Sequence, residues 1–191
     1  TKYYSQFFEP LRKSPVNLLE IGIFKGGSLR MWEEYFPEGY IHGIDIVDCK
    51  KYNSDRITTH ILDQSKKLDL IFFGNKWSQY FDIIIDDGSH VSSDMILSFE
   101  MLFPHLKNGG YYIVEDLLCS YSTQINPRGS QTIMHRLKQL MDDVNLNGKI
   151  QLNADKFKTV PQCSEEFQFT YYEKHMEWVF TSCGLVIIKK I

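Results

Sequence analysis

The chain has 191 residues, 43% of them hydrophobic, with a formal net charge of -3. That length supports one domain with a real core, and the charge gives no basic field for holding a nucleic-acid backbone. Cys49, Cys119, Cys163 and Cys183 form no C-x-x-C pair, which argues against a zinc knuckle or a disulfide framework and makes a reducing cytoplasm the default. No run reaches the roughly 20 apolar residues of a membrane span, and no signal peptide opens the chain. The first residue is Thr1 rather than Met, so further residues are expected upstream.

In chain order, "TKYYSQFFEPLRKS" comes first, and its aromatic residues fit a helix docked on the core better than a lid. Short apolar runs then alternate with helical segments, the pattern of a doubly wound α/β domain with a mostly parallel sheet. The expected strands are "VNLLEIG", "YIHGIDI", "ITTHILD", "FDIIIDD", "GYYIVED" and "GLVIIKK". "GSLRMWEEYF" reads as a crossover helix with Leu29, Trp32 and Phe36 on one face. "SSDMILSFEMLFPHL" reads as a second, stopped at "KNGG", and "SQTIMHRLKQLMDDV" as a third. "STQINPRGS" before it is the best candidate for a mobile loop. "MEWVFTSCGLVIIKK" reads as two strands turning near Gly184, giving a Rossmann-like seven-stranded sheet that ends in an antiparallel hairpin. No internal domain boundary is visible, so residues 1–191 are expected to form one domain with an N-terminal helix or lid segment over 1–15.

Several strands end in an acid, and ligands of such sheets sit outside the carboxyl ends of the parallel strands. "LLEIGIFKGGSLRMW" puts Glu20, Gly22, Gly26, Gly27 and Ser28 between the first strand and its helix. Glycines there allow a cofactor close to the backbone, and the helix start offers free N–H groups. The spacing G-x-x-x-G-G is not the G-x-G-x-x-G of dinucleotide binders, and Glu20 is a poor neighbour for a phosphate but a good one for an amino-acid moiety. Asp45 ends the second strand where a carboxylate can accept ribose hydroxyls. Asp63 and Gln64, after the third, suit the edge of adenine. A nucleoside, an amino group and no phosphate describe S-adenosylmethionine. The plainer reading makes these residues a tight turn and strand ends.

The fourth and fifth strands bring Asp86, Asp87, Glu115 and Asp116 to one sheet edge. Not all four share a face, because successive strand residues point opposite ways. Clustered carboxylates repel unless a proton or cation intervenes, and an all-oxygen set suits a hard ion such as Mg2+. His90 follows near the next helix start, placed to act as a general base for a hydroxyl. Turn and capping roles are the alternative for "DDGSH".

Taken together, "EIGIFKGGSL", "GIDI", "LDQS", "IIIDDGSH" and "FPHLKNGGYYIVEDL" resemble the metal-dependent sugar O-methyltransferases of macrolide biosynthesis, the macrocin and mycinamicin group. The resemblance covers roughly Leu18 to Leu118 strongly. It implies Asp87, Glu115 and Asp116 as Mg2+ ligands and His90 as the base. Glu20, Gly22, Gly26, Ser28, Asp45, Asp63, Gln64 and Asp86 are the expected cofactor residues, Asp86 from the cofactor side of its strand. The expected function is S-adenosylmethionine-dependent, Mg2+-assisted O-methylation of a small-molecule hydroxyl, with a glycoside acceptor, a cytoplasmic location, no nucleic-acid or membrane partner, and a homo-oligomer left open. That family carries a longer N-terminal region than is present here. The rival readings are a catechol-type O-methyltransferase, a non-catalytic module that binds the cofactor, and, less favoured, an amino methyltransferase or a dinucleotide oxidoreductase.

Overall fold

The computed structural model describes residues 2–127, 129–156 and 170–191, with side chains omitted at residue 2 and over 146–156. The short N-terminal helix α1 (Lys2–Phe8) leads into strand β1 (Asn17–Ile21), helix α2 (Gly27–Tyr35), β2 (Tyr40–Asp45) and β3 (Ile57–Ile61). Helix α3 (Lys67–Lys76), β4 (Ile83–Asp86), α4 (Ser92–Leu102) and β5 (Tyr111–Val114) follow. Helices α5 (Ile133–Lys156) and α6 (Tyr171–His175) precede the closing strands β6 (Met176–Ser182) and β7 (Leu185–Lys190).

The seven strands form one sheet in the order β3-β2-β1-β4-β5-β7-β6. The first five pair in parallel, and β7 runs antiparallel to both β5 and β6. Gly184 makes the β6–β7 turn at φ 75°, as the sequence leads one to expect. Because helices cover both faces, the central strands carry apolar residues on both sides rather than alternating with polar ones. Leu18, Ile83, Ile85 and Ile113 point to one face, where α1 and α2 bring Tyr4, Phe8, Leu29 and Trp32. Leu19, Ile21, Ile84 and Tyr112 point to the other, against Leu70 and Phe73 of α3, Phe99 of α4 and Leu137 of α5.

Two elements differ from the sequence expectation. Helix α3 was not anticipated, because apolar residues run without a break from Leu70 to Phe73 and hide the helical period; Phe72 is left exposed and Phe73 is buried. The other is in the expected loop, where residue 126 is anchored. Asn126 is buried, accepts from the Ser92 N–H at 2.9 Å and donates to the Cys119 carbonyl at 2.8 Å. The N-terminal segment is a docked helix, with Phe8 fully buried between Trp32, Phe36 and Tyr111. Cys49, Cys119 and Cys183 are free thiols, and Cys163 lies outside the described residues. No described helix is long and apolar enough to cross a membrane.

Candidate active site

The parallel strand order brings the carboxyl ends of β1, β2, β3 and β4 to one edge, where a cavity of about 770 Å3 opens. One wall is the β1–α2 turn, with Gly22, Phe24, Gly27 and Ser28. The backbone N–H groups of Ile23 and Phe24 donate to one oxygen of Asp45 at 2.9 and 3.3 Å, and Val47 donates to the other at 3.1 Å. Asp45 therefore fixes the turn from the end of β2, and it helps to line the cavity. Asp63 and Gln64 line the same cavity.

Strand parity sorts the acids. Glu20 shares a face with Leu18, so it points under α2, where it is buried and accepts from Ser28 Oγ at 2.8 Å and Trp32 Nε1 at 3.4 Å. Burial pushes its carboxyl up to about 7, against those two hydrogen bonds. Asp86 shares a face with Ile84 and is buried on the α4 side, pushed up to about 7 by desolvation. There it accepts from Gln64 Nε2 at 3.3 Å, while Gln64 Oε1 accepts from the Ser89 N–H at 2.7 Å. Glu20 and Asp86 are thus set behind the cavity wall, and neither they nor Gly26 are among its lining residues. The amide of Gln64 is committed at both ends to protein groups rather than free for an adenine edge.

Asp87 points the other way from Asp86 and lines the cavity with Gly88, His90 and Asp116. One ligand atom from each of Asp87, His90 and Asp116 lies within 4.8 Å of the others. His90 Nε2 stands 3.6 Å from Asp116 Oδ2, and His90 Nδ1 is buried without a hydrogen-bond partner among the described residues. His90 and Asp116 both hold positive φ, 57° and 51°, a conformation non-glycine residues adopt at a cost and often at functional sites. Asp87 is pushed up to about 6, first by burial, then by the charge of Glu115, with Asp116 adding and His90 opposing.

Glu115, the third expected ligand, departs from that trio. Its carboxylate accepts a hydrogen bond from the Tyr4 hydroxyl of α1. Burial, together with the charges of Glu115, Glu20 and Asp87, keeps the Tyr4 phenol protonated far above its usual range. Sequence reading had grouped Tyr4 with the packing aromatics and gave it no place in the site. Phe24 was missed as well; it is 83% exposed at the rim of the cavity with φ 48°.

The residues fit a hard divalent cation. The carboxylates of Asp87 and Asp116 converge with His90 beside them, a third acid stands next in chain, and Asp87 bears like-charge repulsion that a cation would relieve.

Sheet order and site position define the class I methyltransferase architecture. A methyltransferase from mycinamycin biosynthesis, MycE, solved with Mg and S-adenosylhomocysteine, superposes with a TM-score of 0.86 at 30% identity over 100% of this chain and 49% of its own. A further MycE structure, with mycinamycin VI also bound, gives 0.84 at 31% identity over 100% and 48%. In sequence, the chain is similar to sugar O-methyltransferases. It is 41% identical over 128 residues to demethylmacrocin O-methyltransferase of Streptomyces fradiae, covering 63% of this chain and 32% of that one. It is 38% identical over 156 residues to mycinamicin VI 2''-O-methyltransferase of Micromonospora griseorubida, covering 75% and 39%. The chain thus spans about a third to two-fifths of the length of the curated relatives it matches. No protein-family model matches it.

Proposed function

We propose that this chain is the catalytic domain of an S-adenosylmethionine-dependent, Mg2+-assisted O-methyltransferase acting on a sugar hydroxyl of a glycosylated natural product. The observation that carries the reading is one cavity with a glycine turn at one end and Asp87, His90 and Asp116 converging at the other. The similarity to enzymes named for methylating mycinamicin VI and demethylmacrocin supports a glycoside acceptor over a free catechol.

When bound, the two groups would supply an electrophilic methyl and a Lewis acid for the acceptor hydroxyl. Asp87 and Asp116, with Glu115 beside them, would hold the cation. The β1–α2 turn, fixed by Asp45, would hold the cofactor through Gly22, Gly27 and Ser28, with Asp63 as the polar group at the far end. Glu20, Gly26 and Asp86 would act from behind the wall: Glu20 on Ser28, Gly26 in the close approach of the turn to Tyr52, and Asp86 through Gln64, itself a lining residue, on Ser89. His90 takes the acceptor proton at an imidazole nitrogen, and the neighbouring Asp116 favours the cationic ring that results. Orienting the hydroxyl beside His90 supplies much of the acceleration, since the step chiefly needs proximity and alignment.

The test is calorimetric titration of S-adenosylhomocysteine, followed by assay of deoxysugar glycosides against catechols with Mg2+ or chelator. Mg2+-dependent methylation of a sugar hydroxyl supports the proposal. Methylation of catechols alone transfers it to the catechol-type enzyme, and absence of cofactor binding by folded protein overturns it.

A further inference from the structure

We infer that Tyr4 is a positioning residue of the cation site: its hydroxyl holds Glu115, so that helix α1 forms part of the metal site as well as the hydrophobic layer. The inference rests on the proposed metal-assisted reading. Three observations carry it.

The first is the contact itself. The Tyr4 hydroxyl donates to Glu115 Oε1 across 111 residues of chain. Tyr4 is 6% exposed, so little water competes for that bond. With Oε1 held from α1, the orientation of the Glu115 carboxylate is set by Tyr4.

The second is the difference between Tyr4 and its neighbours. Phe7 and Phe8 dock the same helix through rings alone, Phe8 against Trp32 and Phe36, Phe7 against Trp178 and Phe180. Packing at position 4, where the ring lies 5.2 Å from both Phe8 and Trp32, asks only for a ring. A buried phenol there needs an acceptor, and the one it finds belongs to the acidic cluster.

The third is where the carboxylates stand. Asp87, His90 and Asp116 converge within 4.8 Å, while Glu115, the chain neighbour of Asp116, stays outside that group with its carboxylate on the Tyr4 hydroxyl. Tyr4 sets that offset. Carboxylate ligands are oriented by outer hydrogen bonds, and their loss typically weakens metal binding by roughly 10- to 100-fold.

The experiment is Mn2+ binding followed by the loss of the free-ion electron paramagnetic resonance signal, on the 191-residue chain without acceptor, with thermal unfolding as a control. Tyr4→Phe keeps the ring and removes the hydroxyl; the expected result is an Mn2+ Kd raised by roughly 10-fold or more, with S-adenosylhomocysteine affinity unchanged. In a Glu115→Gln background the same substitution should add less than about twofold, because the oriented carboxylate is already gone. Phe7→Leu, which trims the packing of α1 on Trp178 and Phe180 and keeps the ring contacts of Tyr4 with Phe8 and Trp32, should leave the Mn2+ Kd at its parental value. Equal Mn2+ affinity in parent and Tyr4→Phe, or equal loss in Phe7→Leu, overturns the role of Tyr4 and leaves the enzyme reading standing. If the parent binds S-adenosylhomocysteine but no Mn2+, the metal reading falls and the inference with it.

Discussion

A β-carbon placed on Gly22 would stand 2.3 Å from the carbonyl oxygen of Asp87 and 2.8 Å from the Cα of Gly88. The turn after β1 and the turn after β4 thus touch backbone to backbone, and this contact joins the glycine end of the cavity to its acidic end. Gly88 is similarly confined, since a β-carbon there would meet Gln64 Oε1 at 1.9 Å.

Gly22→Ala is therefore expected to strain both ends at once. Its φ of 91° is unfavourable for a side chain, a cost on the order of 1–3 kcal/mol, and the clash with rigid backbone adds to it. Urea unfolding should report a lower midpoint, and calorimetry a large loss of S-adenosylhomocysteine affinity. A variant matching the parent in both measurements would contradict the close approach of the two turns.

His90→Ala should reduce methyl transfer by about 10²- to 10⁴-fold, the usual contribution of a general base. Cofactor affinity should stay within about twofold, because the wall formed by Gly22, Gly27 and Asp45 is untouched. Single-turnover assays beside a binding titration separate the two effects. Unchanged turnover removes His90 from the chemistry.

Asp87→Asn removes a charge from the centre of the acidic group. Mn2+ affinity should fall by more than about 10-fold, beyond the scale of an outer-sphere change, and activity should lose its response to added Mg2+. The same substitution at Asp82, an acid of the same chain held by Lys107 at 2.9 Å and not among the cavity's lining residues, should leave Mn2+ affinity unaltered. Parity between the two variants would show that the site lies elsewhere.

His42 and His60 stack on adjacent strands with Nδ1 and Nε2 3.0 Å apart. Burial pushes the His42 imidazole down to about 4, with the charges of His60 and Lys76 as further causes, and burial then Lys76 push His60 down as well. The unfolded chain takes up these protons near pH 6.5, whereas folded His42 resists them until about 4. Stability is then complete above about pH 6.5 and is lost as pH falls toward 4, by up to about 3 kcal/mol for His42. Urea midpoints at pH 7.5 and 5.0 should converge more closely in His42→Gln than in the parent. Identical pH sensitivity in both proteins would assign the acid limb to other groups.

The sequence alone determined the strand-helix alternation, the parallel sheet with its terminal hairpin, and the acids and glycines that crowd one edge. These are local signals: apolar runs of strand length, glycines where a turn must be tight, and carboxylates at strand ends, each readable within a few residues. The family resemblance drew on the same stretches, which the similarity to the curated sugar O-methyltransferases bears out.

Only the tertiary structure decided what each acid meets on its own face of the sheet. Asp86 and Asp87 are adjacent in sequence, yet one is sealed against Gln64 and Ser98 and the other lines the cavity, because alternate strand residues project to opposite sides and the helix packed on each side settles what they meet. Glu20 points under α2 and not into the cavity for the same reason. The bond from Tyr4 to Glu115 joins a helix before the first strand to the end of the fifth. No spacing in the sequence encodes such a pair, since it depends on α1 docking against α2, β5 and β6 and excluding the water that would otherwise solvate both groups.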